Sequence, residues 1–148
     1  MASPAPVPVP AASPASKTYA ASCHCSAFVY SVTLAPPLED PRTEVMHCNC
    51  SICERNGYLF VYVPDGGVVF SKGGVEEFGA YAFGSRKMAH YFCKNCGSSC
   101  VARSTHPGFF DGMTCVNVRM LEGVEVKDLK LKPADGRSYV PEETAAAA

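Results

Sequence analysis

The chain has 148 residues, with 13 basic and 14 acidic side chains for a net charge of −1. That balance excludes a nucleic-acid binder that works through a strongly basic surface. Hydrophobic residues make up 47% of the chain, enough to pack one domain, and no run of about 18 apolar residues is present to cross a membrane. Nine cysteines are the unusual feature, and their odd number forbids complete pairing within one chain.

Residues 1–16 carry no charge and hold prolines at 4, 6, 8, 10 and 14. A secretory signal needs a basic start and an unbroken apolar helix, and a transit peptide needs arginine. The composition instead predicts a Pro/Ala-rich disordered tail over 1–16, a folded domain over 17–141 and a second short tail over 142–148. With no readable address the expected compartment is reducing: cytoplasmic, with the nucleus as the alternative. There, clustered cysteines point to metal or catalysis before disulfides.

Residues 27–34 alternate, with Phe28, Tyr30, Val32 and Leu34 on one face, which predicts a half-buried strand. Pro36, Pro37 and Pro41 mark a loop. Residues 58–64 are β-branched and aromatic and end at Pro64 and Gly66-Gly67, so they read as a strand with 68–71 as its hairpin neighbour. Residues 78–83 place Tyr81 and Phe83 on one strand face. Residues 88–93, 99–103 and 113–121 are further short strands, and only 122–131 has weak helical spacing, through Val126 and Leu129. Short strands with Gly and Pro punctuation predict a mainly β, antiparallel domain with little helix.

The cysteines fall into groups: Cys23 and Cys25; Cys48, Cys50 and Cys53; Cys93 and Cys96. Cys93-x-x-Cys96 has zinc-knuckle spacing, and Gly97 supplies the positive φ that such a turn needs. Cys23 and Cys25, two apart on a strand, point to one face and supply a partner pair. These four predict a closed structural zinc site that ties the start of the domain to its later half. A thioredoxin-like redox pair at 93 and 96 is the competing reading, without the strand-then-helix context that it needs. Cys48 and Cys50 share a strand face and Cys53 follows one turn later. Three thiolates with one position open are the pattern of a catalytic zinc. Closure by Cys100, Cys115 or a histidine would make that site structural instead. Cys100 and Cys115 lie in apolar runs and read as small core hydrophobes. His90 and His47 are candidate acid/base groups, while Arg55, Arg86, Lys87 and Lys94 stand near the cysteines as charge-balancing or carboxylate-holding candidates.

The order Cys-His-Cys, then His-Cys-Asn-Cys-Ser-Ile-Cys, then Tyr81 and Phe83, then Phe-Cys-Lys-Asn-Cys-Gly resembles the glutathione-dependent formaldehyde-activating family, which includes centromere protein V. The resemblance covers about 18–131. It implies the family's β-tent of small antiparallel sheets, a structural zinc on Cys23, Cys25, Cys93 and Cys96, and a second zinc on Cys48, Cys50 and Cys53. It also implies condensation of glutathione with formaldehyde, a carbon–sulfur lyase reaction in reverse. The chain departs from the family pattern at Asn49, where many members have histidine, and at Glu54, where many have a basic residue. The expected partners are a small-molecule thiol and an aldehyde, with no nucleic acid and no membrane. The alternatives are a module that holds glutathione or another thiol without turnover, and a protein-interaction role like that of the centromere branch.

Overall fold

The computed structural model describes residues 15–139. Residues 1–14 of the tail expected over 1–16, and the tail expected over 142–148, lie outside the described residues. Among the described residues ten strands form two sheets. The smaller holds β1 (Lys17–Ser22), β2 (Val29–Leu34) and β5 (Val68–Lys72), all antiparallel. The larger runs, edge to edge, β10 (Leu131–Ala134), β3 (Val45–Cys48), β4 (Phe60–Pro64), β9 (Met113–Asn117), β8 (Ser99–Ser104), β7 (Met88–Phe92) and β6 (Gly79–Tyr81). Every neighbouring pair is antiparallel except β10 with β3, which is parallel. The mainly β class expected from the sequence is the class observed.

Strand alternation sorts the core. Tyr30, Val32 and Leu34 of β2 are buried while Val29, Ser31 and Thr33 are half-exposed. The buried set packs on Val61, Val63, Val101 and Val116 of the large sheet. The neighbouring positions Phe60, Ala102 and Cys115 point to the other face of that sheet, where they form a second cluster with Cys53 and Tyr58. Burying both faces of its centre makes the large sheet a partition, with a different cysteine group on each side.

Four local expectations are corrected. The strand at 68–71 pairs with β2, not with β4. Both edges of β4 are already occupied, by β3 and β9. A turn of 3-10 helix at Asp65–Gly67 lifts the chain from one sheet to the other. Gly67 permits that crossing, because a Cβ there would stand 2.6 Å from Val63 Cγ1. The helical spacing at 122–131 gives only one 3-10 turn, Val126–Asp128. The α-helix is α1 (Ser51–Asn56), inside the cysteine triad. Phe83 lies beyond β6, although its ring still stacks on Tyr81 at 5.9 Å.

Candidate metal centres and cleft

The four-cysteine centre is built from two loops that close in the same way. In the first, the Cys23 amide donates to Phe28 O at 3.2 Å, and Ser26 takes a positive φ of 62°. In the second, the Cys93 amide donates to Ser98 O at 3.0 Å, and Gly97 sits at φ 78° as the knuckle spacing requires. Cys23 and Cys25 therefore stand in a turn just after β1, not on a strand. That turn draws their sulfurs to 3.7 Å, far closer than strand neighbours of one face. Cys25 and Cys93 are 3.6 Å apart, and all four sulfurs lie within 4.8 Å of one another. These are not disulfides. A tetrahedral zinc with bonds of 2.3 Å has sulfurs about 3.8 Å apart, so the four residues fit that ion.

Ser98 joins the two loops: its hydroxyl accepts from the His24 amide at 3.1 Å and lies 3.2 Å from Cys96 Sγ. That hydroxyl is the main cause holding the Cys96 thiol down to about 5. Cys23 and Cys93 are fully buried in the core between the sheets. Four sulfurs, two of them inside the main core, leave no vacancy for a substrate.

The three-cysteine centre lies on the other face of the large sheet. Cys48 ends β3, Cys50 is the N-cap of α1 and Cys53 lies inside the helix, so Cys50 does not share a strand with Cys48 as the sequence implied. The three sulfurs still lie within 4.8 Å of one another, and the Cys50 amide donates to Cys48 Sγ at 3.4 Å. Gly57, at φ 62°, ends the helix and sends the chain straight into β4. Burial pushes the Cys53 thiol above its usual range. Burial also opposes ionisation of Cys50, but the facing amide of Cys53 and the two neighbouring thiols outweigh it and hold Cys50 down. Among the described residues no histidine, Cys100 or Cys115 joins this group. Cys100 and Cys115 are buried hydrophobes, each pushed up to about 12 by burial.

A strap from the end of the described chain seals one side of the triad. β10 runs beside β3 with Ala134 opposite Cys48. Asn49 Nδ2 donates to Asp135 Oδ1 at 2.8 Å, and its Oδ1 accepts from the Arg137 amide at 2.9 Å. Arg137 Nη2 meets Glu54 Oε2 at 2.5 Å. Gly136 lies so close that a Cβ would stand 2.5 Å from Cys48 Sγ and 3.0 Å from Cys50 Cβ. Asn49 and Glu54, the two departures from the family pattern, thus both hold this strap.

On its open side the triad faces a cleft of about 1090 Å³. Cys48, Cys50 and Cys53 line it together with α1, Arg137 and Tyr139 on one side. Phe83, Met88, His90, Phe109 and Phe110 line it as well. His90 is 8% exposed, and its Nδ1 has no hydrogen-bond partner. Burial lowers its pKa, so the imidazole is neutral at neutral pH. Its ring lies 5.8 Å from Phe83 and 5.6 Å from Tyr58. His47 is exposed on β3 and does not line the cleft, and neither do Arg86 and Lys94, whereas Arg55 and Lys87 do. Phe109, Phe110, Gly136, Arg137 and Tyr139 are cleft residues that sequence reasoning missed. A loop Gly-Phe-Phe-Asp-Gly at 108–112, with adjacent aromatics between glycines, was the one available signal.

Residues 18–136 match the family model described as glutathione-dependent formaldehyde-activating enzyme. A crystal structure of a Rhodobacter sphaeroides protein, from a structural-genomics programme, is similar at a TM-score of 0.59 and 28% identity. The match covers 76% of this chain and 99% of that one. None of the curated proteins matches the chain.

Proposed function

Because the chain belongs to the glutathione-dependent formaldehyde-activating family, we propose that it adds the thiol of glutathione to a small aldehyde such as formaldehyde, at a zinc ion held by Cys48, Cys50 and Cys53. Read in the cleavage direction this is carbon–sulfur lyase chemistry. A second zinc on Cys23, Cys25, Cys93 and Cys96 has a structural role only. The observation that carries the reading is that the three-sulfur group opens on a large cleft, with the strap packed against Cys48 and Cys50 as one of its walls.

Zinc bound there supplies a Lewis acid that favours the thiolate form of an incoming thiol at neutral pH. The protein's own residues do the rest. Cys48, Cys50 and Cys53 would hold the ion, and Gly136 of the strap packs close against Cys48 and Cys50, leaving the cleft as the approach to the three sulfurs. The thiol's proton must leave, and the oxygen formed from the aldehyde must gain one. His90 lines the cleft with a neutral imidazole, the form that can take and return that proton. Arg55, Lys87 and Arg137 bring positive charge to the cleft, which favours the carboxylates of glutathione.

Thiols add to formaldehyde in water without help, so the test must measure acceleration. Exchange NMR of formaldehyde with glutathione should show faster exchange with the zinc-loaded protein and none with Cys50→Ser. Folded, zinc-loaded protein that leaves the exchange rate unchanged would remove this reaction and favour a thiol-binding module.

A further inference from the structure

Formaldehyde carries no substituent, and glutathione is polar along its length, with two carboxylates and an ammonium group. Neither makes use of the apolar part of this cleft. A cleft of about 1090 Å³ lies just above the range that encloses drug-sized ligands, roughly 300–1,000 Å³. Charged groups line it from α1 and the strap, through Glu54, Arg55 and Arg137, and Lys87 stands 5.6 Å from the Phe109 ring. Met88, Phe83, Phe109 and Phe110 offer no side-chain hydrogen bond. Phe83 is 43% exposed and Phe110 51%, an exposure of large apolar rings within one concavity that marks a binding surface.

The rings are also ordered. Tyr81, Phe83, His90, Tyr58 and Phe60 form a column from surface to core, with successive centroids 5.9, 5.8, 5.6 and 4.3 Å apart. Their interplanar angles are 19°, 27°, 31° and 24°, so three of the pairs are stacked and the His90–Tyr58 pair is tilted. Phe83 stands between Tyr81 and His90 in this row, and Phe83 and His90 both line the cleft. A flat aryl group packs on half-exposed rings such as Phe83 and Phe110 better than a branched alkyl chain does, since offset and edge-to-face ring pairs attract beyond their buried area.

Resting on the thiol-addition reading above, we propose that the aldehyde this site takes is an aromatic one, with its ring seated against Phe83 and Phe110 while glutathione occupies the side of Arg55 and Arg137. The glutathione sulfur attacks the aldehyde carbon and the sulfur–carbon bond forms. The π pair of the carbonyl moves to its oxygen, and the proton lost by the thiol ends there. The product is a thiohemiacetal, and no oxidant or reductant is needed.

Two measurements on the zinc-loaded full chain test this. In the first, S-benzylglutathione and S-methylglutathione are titrated into wild type, Phe83→Ala and Phe110→Ala. Both rings are half-exposed, so their truncation spares the fold. S-benzylglutathione should bind at least tenfold more tightly to wild type, and either variant should cut that ratio to threefold or less. In the second, exchange of benzaldehyde and of formaldehyde with glutathione is compared for wild type and Cys50→Ser. Benzaldehyde should be accelerated more than formaldehyde, and only by wild type. Equal affinity for the two thioethers with accelerated formaldehyde exchange overturns the aryl assignment and leaves the thiol-addition reading standing. A tenfold preference with no acceleration of either aldehyde overturns the thiol-addition reading, and the aromatic-aldehyde proposal with it.

Discussion

The two cysteine centres use one ligand type and lie on opposite faces of one sheet, yet they are constructed differently. The four-cysteine centre stands on two loops that close alike, joined by Ser98, with Cys23 and Cys93 inside the core between the sheets. The three-cysteine centre is held by a strand end, a six-residue helix and a strap, and it opens on a cleft. Ligand chemistry alone does not distinguish the two centres; the number of sulfurs, and what covers them, does.

The largest effects should follow from removing one sulfur from each centre. A structural zinc contributes on the order of 10 kcal/mol in small domains, comparable with the whole stability of a typical fold of about 5–15 kcal/mol. Cys93→Ser should therefore abolish cooperative folding, as read by circular dichroism on heating. Cys50→Ser should lose one metal equivalent and keep its melting temperature within a few degrees. Equal loss of structure in both variants would refute the division of labour.

The two cysteine groups were partly legible in the sequence. Spacing grouped the cysteines correctly, because tight turns and single helical turns bring nearby thiols together whatever the tertiary fold. The backbone carrying them was less legible. Cys23 and Cys25 stand in a turn, and α1 has no apolar periodicity to announce it. β2 could be read because one of its faces is buried and the period is two. β10 could not, since Leu131–Pro133 are exposed and its pairing with β3 is decided by distant chain. The strap was hidden for the same reason: Asn49 and Glu54 read as departures near the cysteines, and their partners lie more than 80 residues away.

The strap offers a smaller perturbation that should act on one centre only. Gly136→Ala places a Cβ 2.5 Å from Cys48 Sγ, so the strap must withdraw or the triad must open. Metal release to a chromogenic chelator should then become at least tenfold faster for the triad and stay unchanged for the tetrad. Asn49→Ala removes two hydrogen bonds to the strap, worth about 0.5–1.5 kcal/mol each, and should act in the same direction but less. Equal release from both centres in Gly136→Ala would mean that they are mechanically coupled through the sheet.

The smallest expected effect concerns His90, on the cleft side. Burial holds its folded pKa below the ordinary value near 6.5, so the folded protein disfavours the charged imidazole. An unfolded chain has no such bias and takes up the proton first as the pH falls. The contribution of His90 to stability is thus fully present above about pH 6.5 and is lost as the pH drops through the folded pKa, with a slope of at most about 1.4 kcal/mol per pH unit. His90→Phe keeps a ring against Phe83 and Tyr58 and removes the titration. Melting temperatures of the two proteins between pH 7.5 and 5.5 should diverge only below 6.5, with wild type falling faster. Taking the difference cancels protonation of the cysteines, which both proteins share. Parallel curves across the whole range would mean that His90 accepts a proton in the folded state as readily as in the unfolded one. The neutral imidazole assigned to the cleft would then be wrong.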